Sequence, residues 1–324
     1  MKGVVVVGSI NMDIVAVTNQ YPAHGETIFG ENMKLLSGGK GANQATTCAK
    51  LGKPVKLIGA VGDDAFGHEI ERSLLQNNVN ISSLKHVAEH PTGCAVITVD
   101  ATAENTMLVI KGANEHLTRS DIDICFSTIS DDYAVLLVQM EIPNEAVLQA
   151  MKRAKEKNMF IILDPAPAEG VTTEALTYAN LITPNWQETK VLTGIDVNSK
   201  ESACKAGVFF ENHFGVENSI IKLGHKGALV YQNGETNFIE PIAVKAVDTV
   251  GAGDSFAGAL ACAIADGETI ESAAEFASIV AAMKVTKMGA QDGVPRLAEV
   301  EHFCETNNIN YYGKKQKLNQ FMTD

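Results

Sequence analysis

The stretch Asp248-Thr249-Val250-Gly251-Ala252-Gly253-Asp254-Ser255-Phe256 sets a carboxylate at the mouth of a glycine-rich turn. After it, Phe256, Leu260 and Ile264 recur at helical spacing among Ala, Gly and Cys, the pattern of a buried helix packed closely on its neighbours. The helix is expected to begin at Asp254. Gly251, Ala252 and Gly253 carry almost no side chain, so the unpaired N–H groups of a first turn can close on an anion that the helix dipole also favours. A carboxylate beside such a cradle repels the anion, but it is useful where it must take a proton from an attacking hydroxyl. Asp is also a preferred N-cap residue, and on this stretch alone both readings of Asp254 stand.

The rest of the chain bounds the setting. At 324 residues, 45% hydrophobic and 20% charged, it can build a large core, as one big α/β domain or two smaller ones. A formal charge of −13 argues against a nucleic-acid partner, whose phosphates are held by clustered Lys and Arg, while leaving room for a small phosphorylated ligand. The six cysteines, Cys48, Cys94, Cys125, Cys204, Cys262 and Cys304, include no C-x-x-C pair and are read as reduced packing residues. Val4 to Val7 is too short for the apolar part of a signal peptide and no run approaches a membrane span, so no membrane partner is expected and the cytoplasm is the expected compartment.

Val4-Val5-Val6-Val7 followed by Gly8-Ser9 reads as a fully buried strand opening a parallel sheet. From Asn11 to Ser37, Pro22, Gly25, Gly30 and short alternating pieces such as Glu26-Thr27-Ile28-Phe29 suggest exposed β structure. Gly38 to Gln44 leads into a small-residue helix over Ala45 to Leu51. A strand over Val55 to Val61 follows, then a helix with Phe66, Ile70 and Leu74 on one face, and a hairpin of Cys94 to Val99 with Thr106 to Ile110. Alternation resumes with strands at Ala134 to Val138, Phe160 to Leu163 and Leu181 to Thr183, and a helix over Asn144 to Lys157. Each of these strands ends in polar residues, Gln139-Met140-Glu141, Asp164 and Pro184-Asn185, and ligands of open parallel sheets bind beyond such ends. Strands over Ser219 to Leu223 and Ala228 to Tyr231 precede Asn233-Gly234, a hairpin turn into Asn237 to Ile239, and two Ala-rich helices start at Asp254 and Glu271.

Neither familiar nucleotide signature is present. Gly41 and Gly227 open no G-x-x-x-x-G-K-[ST], and Gly251-Ala252-Gly253 is followed by Phe256 where a dinucleotide fingerprint needs glycine. Five separated motifs instead give a resemblance: Gly8-Ser9-Ile10-Asn11-Met12-Asp13, Gly38 to Gln44, Thr183-Pro184-Asn185 with Glu188, Asp248 to Asp254, and Gly289-Ala290-Gln291. Together they resemble the PfkB-type carbohydrate kinases, the ribokinase branch most closely, along the chain to about Cys304.

The resemblance implies a ribokinase-like three-layer αβα sandwich around a mostly parallel sheet, in one domain over 1–324. It implies a small β-sheet lid from segments at about 13–37 and 94–110, and it leaves a C-terminal extension at about 305–324. The implied activity is ATP-dependent phosphorylation of D-ribose at its 5-hydroxyl, with Asp254 as general base and Gly251, Ala252 and Gly253 as an anion hole. Asn11, Asp13, Gly39, Lys40, Asn43 and Glu141 complete the implied sugar site. ATP is expected near Asn185, Lys222, Gly224, Gly227 and Gly253, with Ser278 facing adenine; Lys222 stands where relatives more often carry a small hydroxylated residue. Mg²⁺ is implied through water ordered by Asn185 and Glu188, although Asn185 also reads as the cap of the helix holding Glu188. A potassium ion is implied at Asp248 with backbone carbonyls of Val250, Lys284, Lys287 and Gly289, and with Gly293 where relatives commonly carry a side-chain donor. A homodimer through the lid is the implied assembly. The alternatives are a 2-deoxyribose or nucleoside kinase of the same family, separated by the hydroxyl-reading pair Asn11 and Asp13, and a non-catalytic sugar-binding protein.

Overall fold

The four valines of β1 (Gly3–Val7) are wholly buried because helices cover both faces of the sheet they enter. Successive strand side chains point to opposite faces, so Val4 and Val6 join one core with Leu57 and Leu137, while Val5 and Val7 join the other with Leu136 and Phe126. The structure is a computed structural model that describes residues 2–102 and 105–311. Its large sheet also contains β4 (Val55–Gly62), β5 (Asn80–Val87), β8 (Tyr133–Val138), β9 (Phe160–Leu163), β10 (Leu181–Ile182), β11 (Asn218–Lys222), β12 (Ala228–Gln232) and β13 (Glu235–Ile239). The strand order is β13-β12-β11-β10-β9-β8-β1-β4-β5, with parallel pairing from β5 to β11 and antiparallel pairing of β11 with β12 and of β12 with β13. Asn233 (φ 47°) and Gly234 (φ 86°) turn the last hairpin as expected, both with the positive φ that a tight two-residue turn needs.

Helices α1 (Lys40–Lys50), α2 (Ala65–Gln76), α8 (Ala252–Ala265), α9 (Ile270–Lys284) and α10 (Leu297–Thr306) supply the core on the Val4 face. On the Val5 face lie α3 (Arg119–Ser127), α4 (Asn144–Glu156), α5 (Thr173–Tyr178) and α7 (Lys200–Phe214), with α6 (Trp186–Thr193) adding Leu192 at the margin. A second, four-stranded sheet is built from β2 (Asn11–Val17), β3 (Asn32–Gly38), β6 (Gly93–Val99) and β7 (Asn105–Ile110) in the order β3-β2-β6-β7. It corresponds to the two segments expected to leave the αβ rhythm.

Several boundaries differ from the sequence reading. Glu26 to Phe29 forms no strand: the β2–β3 ladder closes at Val17 opposite Asn32, so the piece has no neighbour to pair with, and Phe29 is 95% exposed. α1 begins at Lys40 rather than Ala45, and α8 begins at Ala252 rather than Asp254. In both cases a glycine of positive φ, Gly39 (87°) or Gly251 (75°), swings the chain into the helix earlier than the apolar spacing shows. Strand β5 and helices α3, α5, α7 and α10 went unread. Thr118 with Asp121 and Ser199 with Ser202 close capping boxes that could have marked α3 and α7. Of the expected C-terminal extension, 312–324 lies outside the described residues, while Tyr311 is buried and stacks on Phe276. Among the described residues, all six cysteines are free and no helix is long and apolar enough to cross a membrane.

Candidate active site

The sheet order reverses between β1 and β8, and the carboxyl ends of β1, β8, β9, β10 and β11 share one edge, the place where open parallel sheets take ligands. Two glycines let α1 press against this edge. A Cβ on Gly41 would stand 2.6 Å from the carbonyl carbon of Gly8, so the helix start touches the end of β1 backbone to backbone. The first turns of α1 are thereby set beneath the start of α8, and the side chains of Asn43 and Gln44 meet Asp254.

Asp254 is 8% exposed. Its Oδ2 accepts from Asn43 Nδ2 at 2.8 Å and its Oδ1 from Gln44 Nε2 at 3.2 Å. Because α8 starts two residues earlier, Asp254 lies inside the first turn, and the N-cap position belongs to Gly251. The capping reading of Asp254 therefore gives way to a buried carboxylate held by two amides. Burial pushes its carboxyl above the ordinary range; Lys40 and the Asn43 hydrogen bond oppose this, while Asp164 and Glu141 add to it. Gly251 and Ala252 are half-buried and Gly253 is exposed, so the amide end of α8 opens beside this carboxylate.

Among the residues expected near ATP, Lys222 Nζ donates to Asp164 Oδ1 at 3.0 Å and stands 3.7 Å from where a Cβ of Gly253 would lie, so a cation faces the α8 amides. Burial would lower the Lys222 ammonium, but Asp164 and Glu188 outweigh it and hold it above the usual lysine value. Asp164 is buried and also accepts from Thr183 Oγ1 at 3.1 Å and Gln44 Nε2 at 3.0 Å, with Gln139 donating to Gln44 behind it. Asn185 caps α6 by accepting from the N–H groups of Gln187 and Glu188, each at 2.8 Å, and Glu188 Oε2 accepts from Asn185 N at 2.7 Å. A backbone bridge sets Asn185 beside Lys222. Burial raises the Glu188 carboxyl, and Lys222 counters it. Gly224 opens a short 3₁₀ turn after β11, Gly227 (φ 97°) closes it, and Ser278 lies half-buried in the middle of α9.

The described residues contain no group of three His, Cys, Asp or Glu side chains able to hold a metal by themselves. One capping carboxylate with an oxygen to spare suits Mg²⁺ whose remaining ligands are phosphate oxygens and water.

The sugar candidates gather on the other side of Asp254. Ser9 Oγ donates to Glu141 Oε2 at 2.5 Å and accepts from Lys40 N at 3.0 Å, and Lys40 Nζ lies 3.8 Å from Glu141 Oε1. Burial alone would lower the Lys40 ammonium, yet Asp254 and Glu141 overcome this and keep it raised. Asn11 and Asp13, two apart on β2, share a face where the chain passes into the small sheet. Asp13 lies against Gly38, where a Cβ would come 2.3 Å from its Oδ2. Burial, then Glu141 and Asp254, push the Asp13 carboxyl up to about 7.

Two residues with no role in the sequence reading organise this cluster. Asn114, 1% exposed, donates to Asn11 Oδ1 at 2.8 Å while its own Oδ1 accepts from Ile10 N at 2.9 Å. Gln291 donates to Asn43 Oδ1 at 3.0 Å, which ties the Gly289-Ala290-Gln291 motif to the amide that holds Asp254.

The expected potassium site meets an obstacle. Asp248 Oδ2 accepts from Gly289 N at 2.8 Å and Oδ1 from Val250 N at 3.0 Å, so the motif residues do assemble. Lys284, expected to offer only its carbonyl, instead sends its ammonium inward to Asp248 O at 2.9 Å, with Asp248 Oδ2 at 3.5 Å. A site that already holds a fixed positive charge does not fit a potassium ion.

Residues 1–297 match the pfkB family of carbohydrate kinases. The ribokinase of Haemophilus influenzae is 36% identical over 304 residues, covering 94% of this chain and 99% of that protein. The deoxyribokinase of Salmonella typhi is 33% identical over 307 residues, covering 94% and 99%. Among solved structures, Arabidopsis thaliana ribokinase complexed with ribose and ATP superposes with a TM-score of 0.85 at 32% identity, covering 93% of this chain and 98% of that one.

Proposed function

The chain belongs to the pfkB family of carbohydrate kinases, and from that premise we propose that it moves the γ-phosphoryl group of ATP to the 5-hydroxyl of D-ribose. The observation that carries the reading is the pairing of Asp254, buried and amide-held with a raised affinity for protons, with the open amide end of α8 faced by Lys222. Asp254 accepts the hydroxyl proton as the oxygen attacks phosphorus. The new O–P bond forms as the bond to ADP breaks, and the amides of Gly251, Ala252 and Gly253 with the Lys222 ammonium receive the charge spread over the phosphoryl oxygens. Mg²⁺ bound with the nucleotide would be oriented through water by Asn185 and Glu188 and supplies charge neutralisation. Asn11, Asp13, Lys40 and Glu141 offer donors and acceptors for sugar hydroxyls, with Asn114 fixing the orientation of Asn11.

Substrate choice is the test. Buried polar groups left unpaired by a missing hydroxyl penalise the analogue, so ADP release with D-ribose should exceed that with 2-deoxyribose by at least about tenfold in kcat/KM. Faster turnover of 2-deoxyribose would overturn the ribose assignment in favour of the activity named for the Salmonella relative, and no ADP release with any pentose would overturn it in favour of a nucleoside kinase, if nucleosides release ADP, or of a binding protein, if they do not.

The carboxylate cluster also predicts a pH profile. Asp13, pushed up to about 7, accepts hydroxyl hydrogen bonds well only when ionised. As pH falls through that value the acceptor is lost, and Asp254, also raised, protonates on the same side. Sugar kcat/KM should therefore rise with pH through an acid limb centred near 7, and Asp13→Asn should lower the upper plateau while flattening the limb. A flat profile between pH 6 and 8, on the order of the ordinary titration window, would remove these carboxyls from the reaction.

The small sheet serves as a lid over the sugar in this reading and as the contact between two copies. Met107, Leu108, Val109 and Ile110 on β7 are all about half exposed or more, although strand alternation sends them to opposite faces, and Met33 and Leu35 on β3 are exposed too. An edge strand apolar on both sides is a liability unless something covers it. Light scattering should give the mass of a dimer, and Leu108→Asp should give a monomer.

A further inference from the structure

We infer that Lys284 is a tethered cation: its ammonium occupies the place beneath the α8 turn that a monovalent metal ion would take, so this enzyme works without potassium.

The side chain of Lys284 is completely buried, a rare condition for lysine that requires a built partner. Its partner is Asp248, the first residue of the glycine-rich turn, which it holds through the backbone carbonyl at 2.9 Å with the carboxylate at 3.5 Å. Asp248 in turn fixes the turn by accepting from Val250 N and the next loop by accepting from Gly289 N. The ammonium thus stands at the junction of the two loops that a metal ion would have to join.

Gly293 gives an independent reason to place the lysine inside the cation site. A Cβ there would lie 2.7 Å from Gly289 O, 3.0 Å from Lys287 O and 3.2 Å from Lys284 Cε. The two carbonyls expected to bind potassium therefore converge where the end of the lysine chain passes. Gly293 is not among the residues of positive φ, so backbone conformation does not demand glycine. Space does: a side chain at 293 would press first on the carbonyls of Gly289 and Lys287 and then on Cε of Lys284, so the bare position leaves both carbonyls and the end of the lysine chain packed together. Burial draws the ammonium below the ordinary lysine value, and Asp248 first and then Asp254 draw it back.

The test compares KCl with N-methylglucamine chloride at constant ionic strength, reading both ADP release and melting temperature. The intact enzyme should show the same rate and the same Tm in both. Lys284→Ala opens the pocket, so its rate should drop by about tenfold without potassium and recover in KCl. Its Tm should rise by about 3 °C when KCl is added at roughly ten times the dissociation constant. Lys284→Met fills the pocket without charge, so its rate should drop and KCl should not restore it. Stimulation of the intact enzyme by potassium, a potassium-dependent Tm of the intact enzyme, or full activity of Lys284→Met would each overturn the inference. The intact-enzyme arms decide it even if a variant does not fold. The melting arm reads cation binding without any sugar, so its outcome is independent of the ribose assignment on which the rate arm rests.

Discussion

Asp254→Asn should lower kcat by about a thousandfold while leaving the protein folded and able to bind sugar. The change keeps the shape of the side chain and removes its basicity. One of the two donors that hold it, Asn43 Nδ2 at 2.8 Å or Gln44 Nε2 at 3.2 Å, would then face another N–H, a local cost that repacking of two amides can absorb. The measurement is ADP release beside calorimetric titration with ribose. A variant within tenfold of the parent rate, about 1.4 kcal/mol, would show that the proton leaves by another route. A variant that neither turns over nor binds sugar would show that Asp254 is needed for the pocket itself.

Gly41→Val should have the next largest effect, on stability and on the site together. Its Cβ would stand 2.6 Å from Gly8 C, 2.8 Å from Gly8 Cα and 2.9 Å from Ser9 N, all backbone atoms that cannot swing aside. Overpacking of this kind costs about 3 kcal/mol, which lowers Tm by about 6 to 12 °C for a domain approaching this size. Relief requires α1 to move off β1, and that movement carries Asn43 and Gln44 away from Asp254, so the folded fraction should also turn over more slowly. Gly170→Ala is the contrasting substitution, since a Cβ there meets nothing closer than Met140 O at 3.5 Å; it should be nearly silent by melting and by rate. Equal behaviour of the two variants would remove the close approach from the account.

The two predictions rest on features of different legibility. The strand through Val4 to Val7, the strand Phe160 to Leu163 and the turn at Asn233-Gly234 are local facts, written in β-branched runs and in a dipeptide that tolerates positive φ. Asp254 and its glycines were legible as a cradle beside a base, but the helix start was misplaced because periodicity records where a helix is buried and not where it begins. The hydrogen-bond partners of Asp254 could not be read from local pattern, although the resemblance set Asn43 in the same site. Asn43 and Gln44 meet it across more than two hundred residues of chain, as Gln291 meets Asn43. Asn114 was overlooked for the same reason, its contact with Asn11 being set by the topology between them. Lys284 left a signal that went unused: it follows Ala273, Ala277 and Val280 on the buried stripe of α9, where a charge has to have an internal partner.

The valine run of β1 carries one more consequence. Four identical side chains in succession cannot tell a strand how far along its groove it should lie, since a slip of one place exchanges like for like between the two cores. The alignment must be imposed from the flanks, by two residues too small to be replaced by their neighbour. Gly3 fits between Pro54 O and the Tyr133 ring, where a Cβ would come within 2.8 and 2.9 Å, and Gly8 fits against Gln139 and Gly41. These glycines act as bookends, and an inserted fifth valine, harmless to either core by its chemistry, would be refused by whichever bookend it displaced.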